Sequence, residues 1–203
     1  MRIERVLILV ARTSAVATGL IGLLEIVRIS TGFVLIPEPI PGTLMMRPWV
    51  AWMLLFLSTA LIGLPARKER ERRITAAFAG TVLLLGLASI ACRFAFQPGV
   101  NAVASGLRAT RPIGAVTLCL GSSMILLCLW RRTRVASNVI ALLVQTIGGS
   151  FALYQIYGDP FFQSHHWPAV SFASSLAAIA VGTSVIAANG VETWPTRLFS
   201  GFS

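Results

Sequence analysis

Six apolar stretches, near residues 5–27, 48–65, 74–96, 112–130, 136–157 and 168–188, fill this chain of 203 residues and leave no room between them for a water-soluble domain. Each approaches or reaches the roughly 20 residues that carry an α-helix across a bilayer core. In hydrocarbon every backbone N–H and C=O must be satisfied within its own segment, so such stretches are expected to be helices. Charged residues make up 12% of the chain and hydrophobic ones 56%, where a soluble domain carries about 25% charged. With a mean hydropathy of +0.79, a soluble fold would need a core larger than this length encloses. The expectation is an all-α integral membrane protein.

The second, fourth and sixth stretches open alike. Arg47-Pro48-Trp49-Val50 leads into AWMLLFLSTALIGL, Arg111-Pro112-Ile113-Gly114 into AVTLCLGSSMILL, and Trp167-Pro168-Ala169-Val170 into SFASSLAAIAV. Proline suits the first turn of a helix, where its missing N–H would have no partner. The prolines are 64 and then 56 residues apart (112 − 48 and 168 − 112). With an apolar stretch before each copy, the pattern predicts six transmembrane helices as three consecutive helical hairpins, about 5–65, 74–130 and 136–188, with a pseudo-threefold repeat. The bundle is expected over 1–190, and 191–203 reads as a short amphipathic cytoplasmic tail with Trp194, Leu198 and Phe199 on one face.

Charge sets the orientation. Arg2, Arg5, Arg67, Lys68, Arg70, Arg72, Arg73, Arg131, Arg132, Arg134 and Arg197 place eleven of the seventeen cations on one side. Arg28, Arg47, Arg93, Arg108 and Arg111 lie opposite. Excess Lys and Arg mark cytoplasmic loops, so both termini are expected inside, in a cell inner membrane crossed several times. The net charge of +10 does not indicate nucleic acid, because the RKERERR run lacks the interleaved aromatic residues of a base-stacking platform. The lipid bilayer is the expected partner, together with another membrane protein or further copies of the chain. The start, MRIERVLILVARTSAVA, imitates a signal peptide, but its apolar run is interrupted at Arg12 and resumes to Ile26. A first membrane helix is the better reading, with Arg12 snorkelling to the headgroups.

Small residues predict how the helices meet. Ser174, Ala178 and Gly182 recur at i, i+4 and i+8 as a smooth ridge, and Ala15/Gly19 and Ala76/Gly80 have the same spacing. Such ridges let backbones approach closely, which drives helix association in lipid. Cys92, Cys119 and Cys128 all fall within helices and form no metal spacing. The last two are about 13 Å apart along one helix and cannot bridge. Cys92 and Cys119 share a depth that permits a disulfide, while buried thiols as apolar fillers are the simpler alternative.

Residues capable of chemistry are few. Glu25 is the one acidic residue at membrane depth, with Arg28 one turn away on the same helix face. Two readings are open: a self-neutralising interfacial pair, or, with Arg93 at similar depth, the lining of an outward-facing polar ligand pocket. Gln155, in the polar end LYQIYGDP of the fifth helix, is a further candidate ligand contact. His165, His166 and Trp167 sit in the third outer loop, as an interfacial belt or as a pH- or metal-responsive element. Adjacent side chains on an extended loop point apart, so the histidines make a poor joint metal site. Gln145 is the most central strong hydrogen-bonding side chain and is expected to bond between helices. No catalytic set, phosphate loop, metal site or cofactor signature is present, so no enzyme is expected and no cofactor is identified.

The stretches MMRPWVAWMLLFLSTALIGL, ATRPIGAVTLCLGSSMILL and HHWPAVSFASSLAAIAVG, the helix ends EIVRISTG and ALYQIYGDP, and the tail GVETWPTRLFSG together resemble the multi-hairpin membrane input modules of bacterial diguanylate cyclases and sensor histidine kinases. Two departures stand out. The Thr-Ala pair frequent after that family's turn is absent from all three copies, and the sequence reaches Ser203 without entering a cytoplasmic output domain. The resemblance implies a sensory or ligand-responsive module without a catalytic site, its outer loops receiving the stimulus, as an excised input module or a standalone relative. The alternative is a structural or accessory subunit of a larger membrane complex. Asn189-Gly190 as a helix stop, with Pro195 beyond it, argues for that alternative.

Overall fold

The structure is a computed structural model that describes residues 2–32, 46–64, 69–95, 112–157, 171–190, 193 and 195, with the backbone alone at 2, 93–95 and 112. All regular structure among the described residues is helical: α1 (Arg2–Thr31), α2 (Pro48–Gly63), α3 (Glu69–Ala95), α4 (Pro112–Cys128), a single 3-10 turn (Arg131–Thr133), α5 (Arg134–Tyr157) and α6 (Phe172–Asn189). Each helix falls on one of the six apolar stretches. Four of them, α1, α3, α5 with its leading 3-10 turn, and α6, are long and apolar enough to cross a membrane. The other two, α2 and α4, are apolar but have 16 and 17 residues, a rise of about 24–26 Å against a hydrocarbon core of ~30 Å. This composition is compatible with a multi-pass membrane protein in a lipid bilayer.

Local chemistry explains the helix ends. Pro48 and Pro112 each occupy the first position of their helix, where the missing N–H costs nothing. Pro168 lies outside the described residues. There α6 opens instead at Ser171, whose Oγ accepts from the Ser174 N–H at 3.2 Å, the usual N-cap bond. Its other end stops at Gly190, with φ 77°, a left-handed conformation that glycine adopts without a Cβ clash. Between α4 and α5, Thr133 Oγ1 donates to Leu127 O at 2.6 Å, closing a tight connection. From the start of α3, Arg72 Nη2 donates to Leu129 O at 2.7 Å. A cation placed there also complements the negative end of the α4 dipole.

The helices divide into inner and outer sets. α2, α4 and α6 touch one another, while α1 packs on α2 and α6, α3 on α2 and α4, and α5 on α4 and α6. The division follows side-chain size. Over its membrane window α6 is 56% buried, against 22% for α1, and its inward residues are mostly Ala, Ser and Gly. Outer helices carry large apolar groups on their exposed sides, such as Leu20, Leu84 and Leu143. Such groups belong against lipid tails rather than water.

Close backbone approach is what joins the set. A Cβ on Gly182 would meet Gln145 Cγ and lie 2.8 Å from Ala141 O, and one on Gly148 would lie 2.8 Å from Ser175 O and 2.9 Å from Ala178 Cβ. Only glycine fits at either place. Ala178 and Gly182 of the small-residue ridge therefore face α5, while Ser174 turns to its own cap, 2.7 Å from Ser171 Oγ. Hydroxyls add bonds between helices: Ser58 Oγ donates to Ala15 O and Ser184 Oγ to Ala11 O, each at 2.8 Å. α1 is thus held by its own carbonyls from α2 and α6. The three cysteines are free, and Cys119 packs across from Gly86.

Replacing Gly182 with valine is expected to lower the melting temperature in detergent, through an overpacking cost of about 1–3 kcal/mol. Gly149→Ala is the control: nothing lies within 4 Å of the added Cβ, so stability should hold or rise by ~0.5–1 kcal/mol. Equal effects of the two substitutions would contradict the close approach.

Candidate functional site

The prolines and the caps bring the starts of α2, α4 and α6 to one end of the bundle, beside the last turns of α5. At that end the helices do not close. A cavity of about 50 Å³ lies between them, walled by Val50, Leu54 and Leu57 of α2, by Gly114, Leu118 and Gly121 of α4, and by residues of α5 and α6. Val50, Gly114, Thr117, Ile147, Phe151 and Ser174 are half-exposed and form its rim, whereas Leu57, Gly121, Val144 and Val181 are buried and form its floor. Among the described residues the lining is half-exposed towards the helix starts and buried deeper, the form of a funnel.

Glycine makes the opening. No described side chain or neighbouring helix lies within 4 Å of a Cβ added to Gly114, and one on Gly121 would sit at 3.4 Å from Leu57 Cδ2 and 3.8 Å from Val181 Cγ1. Their missing side chains leave space that the neighbouring helices do not fill. The polar groups in the wall are hydroxyls already engaged at home: Thr117 Oγ1 donates to Ile113 O at 2.7 Å and Ser175 Oγ to Ser171 O at 3.3 Å. No described charged residue lines the funnel. It can hold an apolar group, and it offers nothing to replace the hydration of an ion.

A second feature closes the opposite end. Asn189, the last residue of α6, donates from Nδ2 to Asn138 Oδ1 at 2.5 Å and to Ser137 Oγ at 3.4 Å on α5. Its Oδ1 accepts from Cys128 Sγ of α4 at 2.8 Å. Ser137 Oγ donates in turn to Met124 O at 2.7 Å, and Asn138 Nδ2 reaches Thr193 Oγ1 beyond the helix stop at 3.1 Å. All five groups sit at the meeting point of α4, α5, α6 and the start of the tail. Asn138 and Ser137 are fully buried, so the amides have no water to turn to and the cluster behaves as a pinned joint.

The residues singled out by sequence separate. Glu25 and Arg28 come together: Arg28 Nη1 is 3.5 Å from Glu25 Oε1, and they are 1% and 6% exposed. Such burial makes the pair far less open than an interfacial ion pair on a helix surface. Gln155 is buried too, on α5, a helix that packs on α4 and α6. None of the three is among the described walls of the funnel, so the funnel is not the polar pocket expected from them. Arg93 lies in α3, its side chain outside the described residues, as are His165, His166 and Trp167 altogether. Ser174 and Ala178 line the funnel, whereas Gly182 packs below it. Gln145 bonds between helices, donating from Nε2 to Thr183 Oγ1 at 2.7 Å.

Sequence reading passed over two sets of residues. The glycines of α4 carry the funnel, and their signal was present: Gly114 and Gly121 are seven residues apart, two turns on one face. Asn138 and Asn189 carry the joint; amides within apolar helices are a signal as strong as that of Gln145. Among the described residues no group of His, Cys, Asp and Glu is placed to hold a metal ion. The chain matches no protein-family model, no curated protein and no solved structure.

Two substitutions probe these groups. Asn189→Ala is expected to destabilise the protein by about 1–3 kcal/mol, the cost of stranding buried partners, read as a lower melting temperature; no change would contradict the joint. Glu25→Gln should cost roughly 3–5 kcal/mol by breaking a buried pair. By contrast Glu69→Gln, whose partners Arg72 and Arg73 lie at 3.8 and 3.4 Å on an exposed surface, should cost under about 1 kcal/mol. The reverse order would show that Glu25 is solvated.

Proposed function

We propose that this chain is a ligand-responsive membrane module of the sensory type, acting in a bacterial inner membrane without catalytic chemistry of its own. Its six helices all cross the bilayer as three successive hairpins in pseudo-threefold order, both termini are cytoplasmic, and the stimulus arrives at the outer end. The asymmetry of Lys and Arg supports that orientation. The observation that carries the functional reading is the funnel, which lies at the outer end on this orientation.

An apolar space of about 50 Å³ lies between these helices. Pockets between the helices of a bundle are common places for ligands. Here the walls belong to helices with unequal attachment. α5 and α6 are locked by Gly148, Gly182 and the Asn138–Asn189 bond, whereas α2 and α4 meet α6 along the funnel itself. An occupant wedged at the open end moves α2, which among the described residues takes no part in the joint, along its length against the α5–α6 pair. A ligand shifts such an equilibrium only by the difference in its affinity for the two arrangements, and a funnel that is filled in one and narrowed in the other supplies that difference.

One observation favours the second reading, a structural or accessory subunit. α6 ends at Gly190, with φ 77°, so α6 itself does not run on straight to transmit rotation. On the sensory reading the same place is served by the Asn138–Thr193 contact, which ties the tail to α5.

A bulky side chain in the funnel imitates occupancy and separates the two readings. Spin labels at Ile62 on α2 and Val135 on α5, exposed by 46% and 53%, report the distance between inner helix ends. Gly114→Leu is expected to shift that distance by about 1–2 Å or more, the scale of helix shifts in switching proteins. An unchanged distance would contradict the ligand-responsive reading and favour the accessory one.

A further inference from the structure

The funnel's chemistry specifies what it takes. A single water needs at least ~10–15 Å³ of such space, so about 50 Å³ has room for roughly four water-sized groups. Four waters would require two to four polar partners each. The lining offers three hydroxyls: those of Thr117 and Ser175 are spent on carbonyls of their own helices, and Ser174 Oγ lies 2.7 Å from Ser171 Oγ. The space is therefore suited to hydrocarbon. Its depth, the seven residues from Val50 to Leu57 or from Gly114 to Gly121, is about 10 Å. A space of that volume and lining takes part of a single hydrocarbon chain.

The mouth has the opposite character. α2, α4 and α6 all begin there, so the positive ends of three helix dipoles meet at the rim, whereas the negative end of α5, at Tyr157, lies six residues past the rim residue Phe151. No acidic residue occupies the first turn of any of the three, and Arg47, exposed, precedes α2. Among the described residues the acidic group at that end is Glu25, which Arg28 neutralises. The funnel makes the site, and the helix starts decide the sign of what stays at its mouth.

We propose that the funnel binds a single-chain amphiphile with an anionic head, by class a medium-chain carboxylate. Its methyl end reaches the floor at Leu57, Gly121 and Val181, and its head rests at the starts of α2, α4 and α6. This rests on the ligand-responsive reading and gives that reading its ligand class.

The test uses the full chain in phosphatidylethanolamine–phosphatidylglycerol nanodiscs, with decanoate carrying a diazirine at its methyl end as probe. After illumination, mass spectrometry is expected to place the crosslinks on the peptides holding Leu57, Gly121, Val144 and Val181. Unlabelled decanoate should compete, decyltrimethylammonium of the same length should not, and Gly114→Leu should reduce crosslinking about tenfold or more, equivalent to 1.4 kcal/mol. Competition in the unaltered protein needs no variant, so the test survives any folding defect in Gly114→Leu. Crosslinks confined to lipid-facing positions such as Leu20 and Leu84 would overturn the proposal, as would equal competition by the cation. If decanoate fails while Gly114→Leu still shifts the Ile62–Val135 distance, the ligand class falls and the responsive reading stands. If neither result appears, both fall.

Discussion

The contact on which the rest of this structure depends is the backbone-to-backbone approach of α5 and α6 at Gly148 and Gly182. In lipid no hydrophobic effect draws helix to helix, so association comes from close packing and from hydrogen bonds that only near neighbours can make. With glycine at both places the helices come close enough for Gln145 to reach Thr183 and for Asn189 to reach Asn138. A side chain as small as alanine would meet carbonyl oxygens at 2.8 Å. Fixing α6 against α5 in turn sets the face of α6 that meets α1, where Ser184 bonds to Ala11 O.

Packing of this kind is uneven by design of the sequence. Where Gly faces a neighbouring backbone, as at Gly148, the helices are tight; where Gly faces open space, as at Gly114, they leave a void. The same residue type thus builds both the rigid half of the bundle and the funnel. The polar groups follow a similar division. At the funnel's end hydroxyls fold back onto their own helices and leave an apolar wall. At the other end amides bond across helices and hold α4, α5 and α6 at one point. A bundle that is pinned at one end and open at the other can tilt, and that property links the packing to the function proposed for it.

Much of the fold was legible in the sequence. Apolar length located all six helices, and Pro48 and Pro112 gave two of their first residues, because both signals are local. The length of the shorter helices was not: α2 and α4 stop at Gly63 and Cys128, before the apolar composition ends. The candidate site was far less legible. A void between four helices belongs to no segment, and neither Gly114 nor Gly121 announces whether its missing side chain meets a backbone or nothing. The joint between Asn138 and Asn189 spans 51 residues, a pairing that periodicity cannot give. Glu25 and Arg28 were readable as a pair from their spacing, but their burial was not, since it depends on what packs over α1.

The central claim is that the first turns of α2, α4 and α6 enclose a funnel that takes an apolar chain. A crystal structure grown from a lipidic phase tests it most directly. The account predicts an elongated, unbranched density entering at Gly114 and Ser174 and ending against Leu57, Gly121 and Val181. Direct packing of α4 on α6 along their whole length, with Leu57 and Val181 closed over Gly121 and no space between, would contradict it.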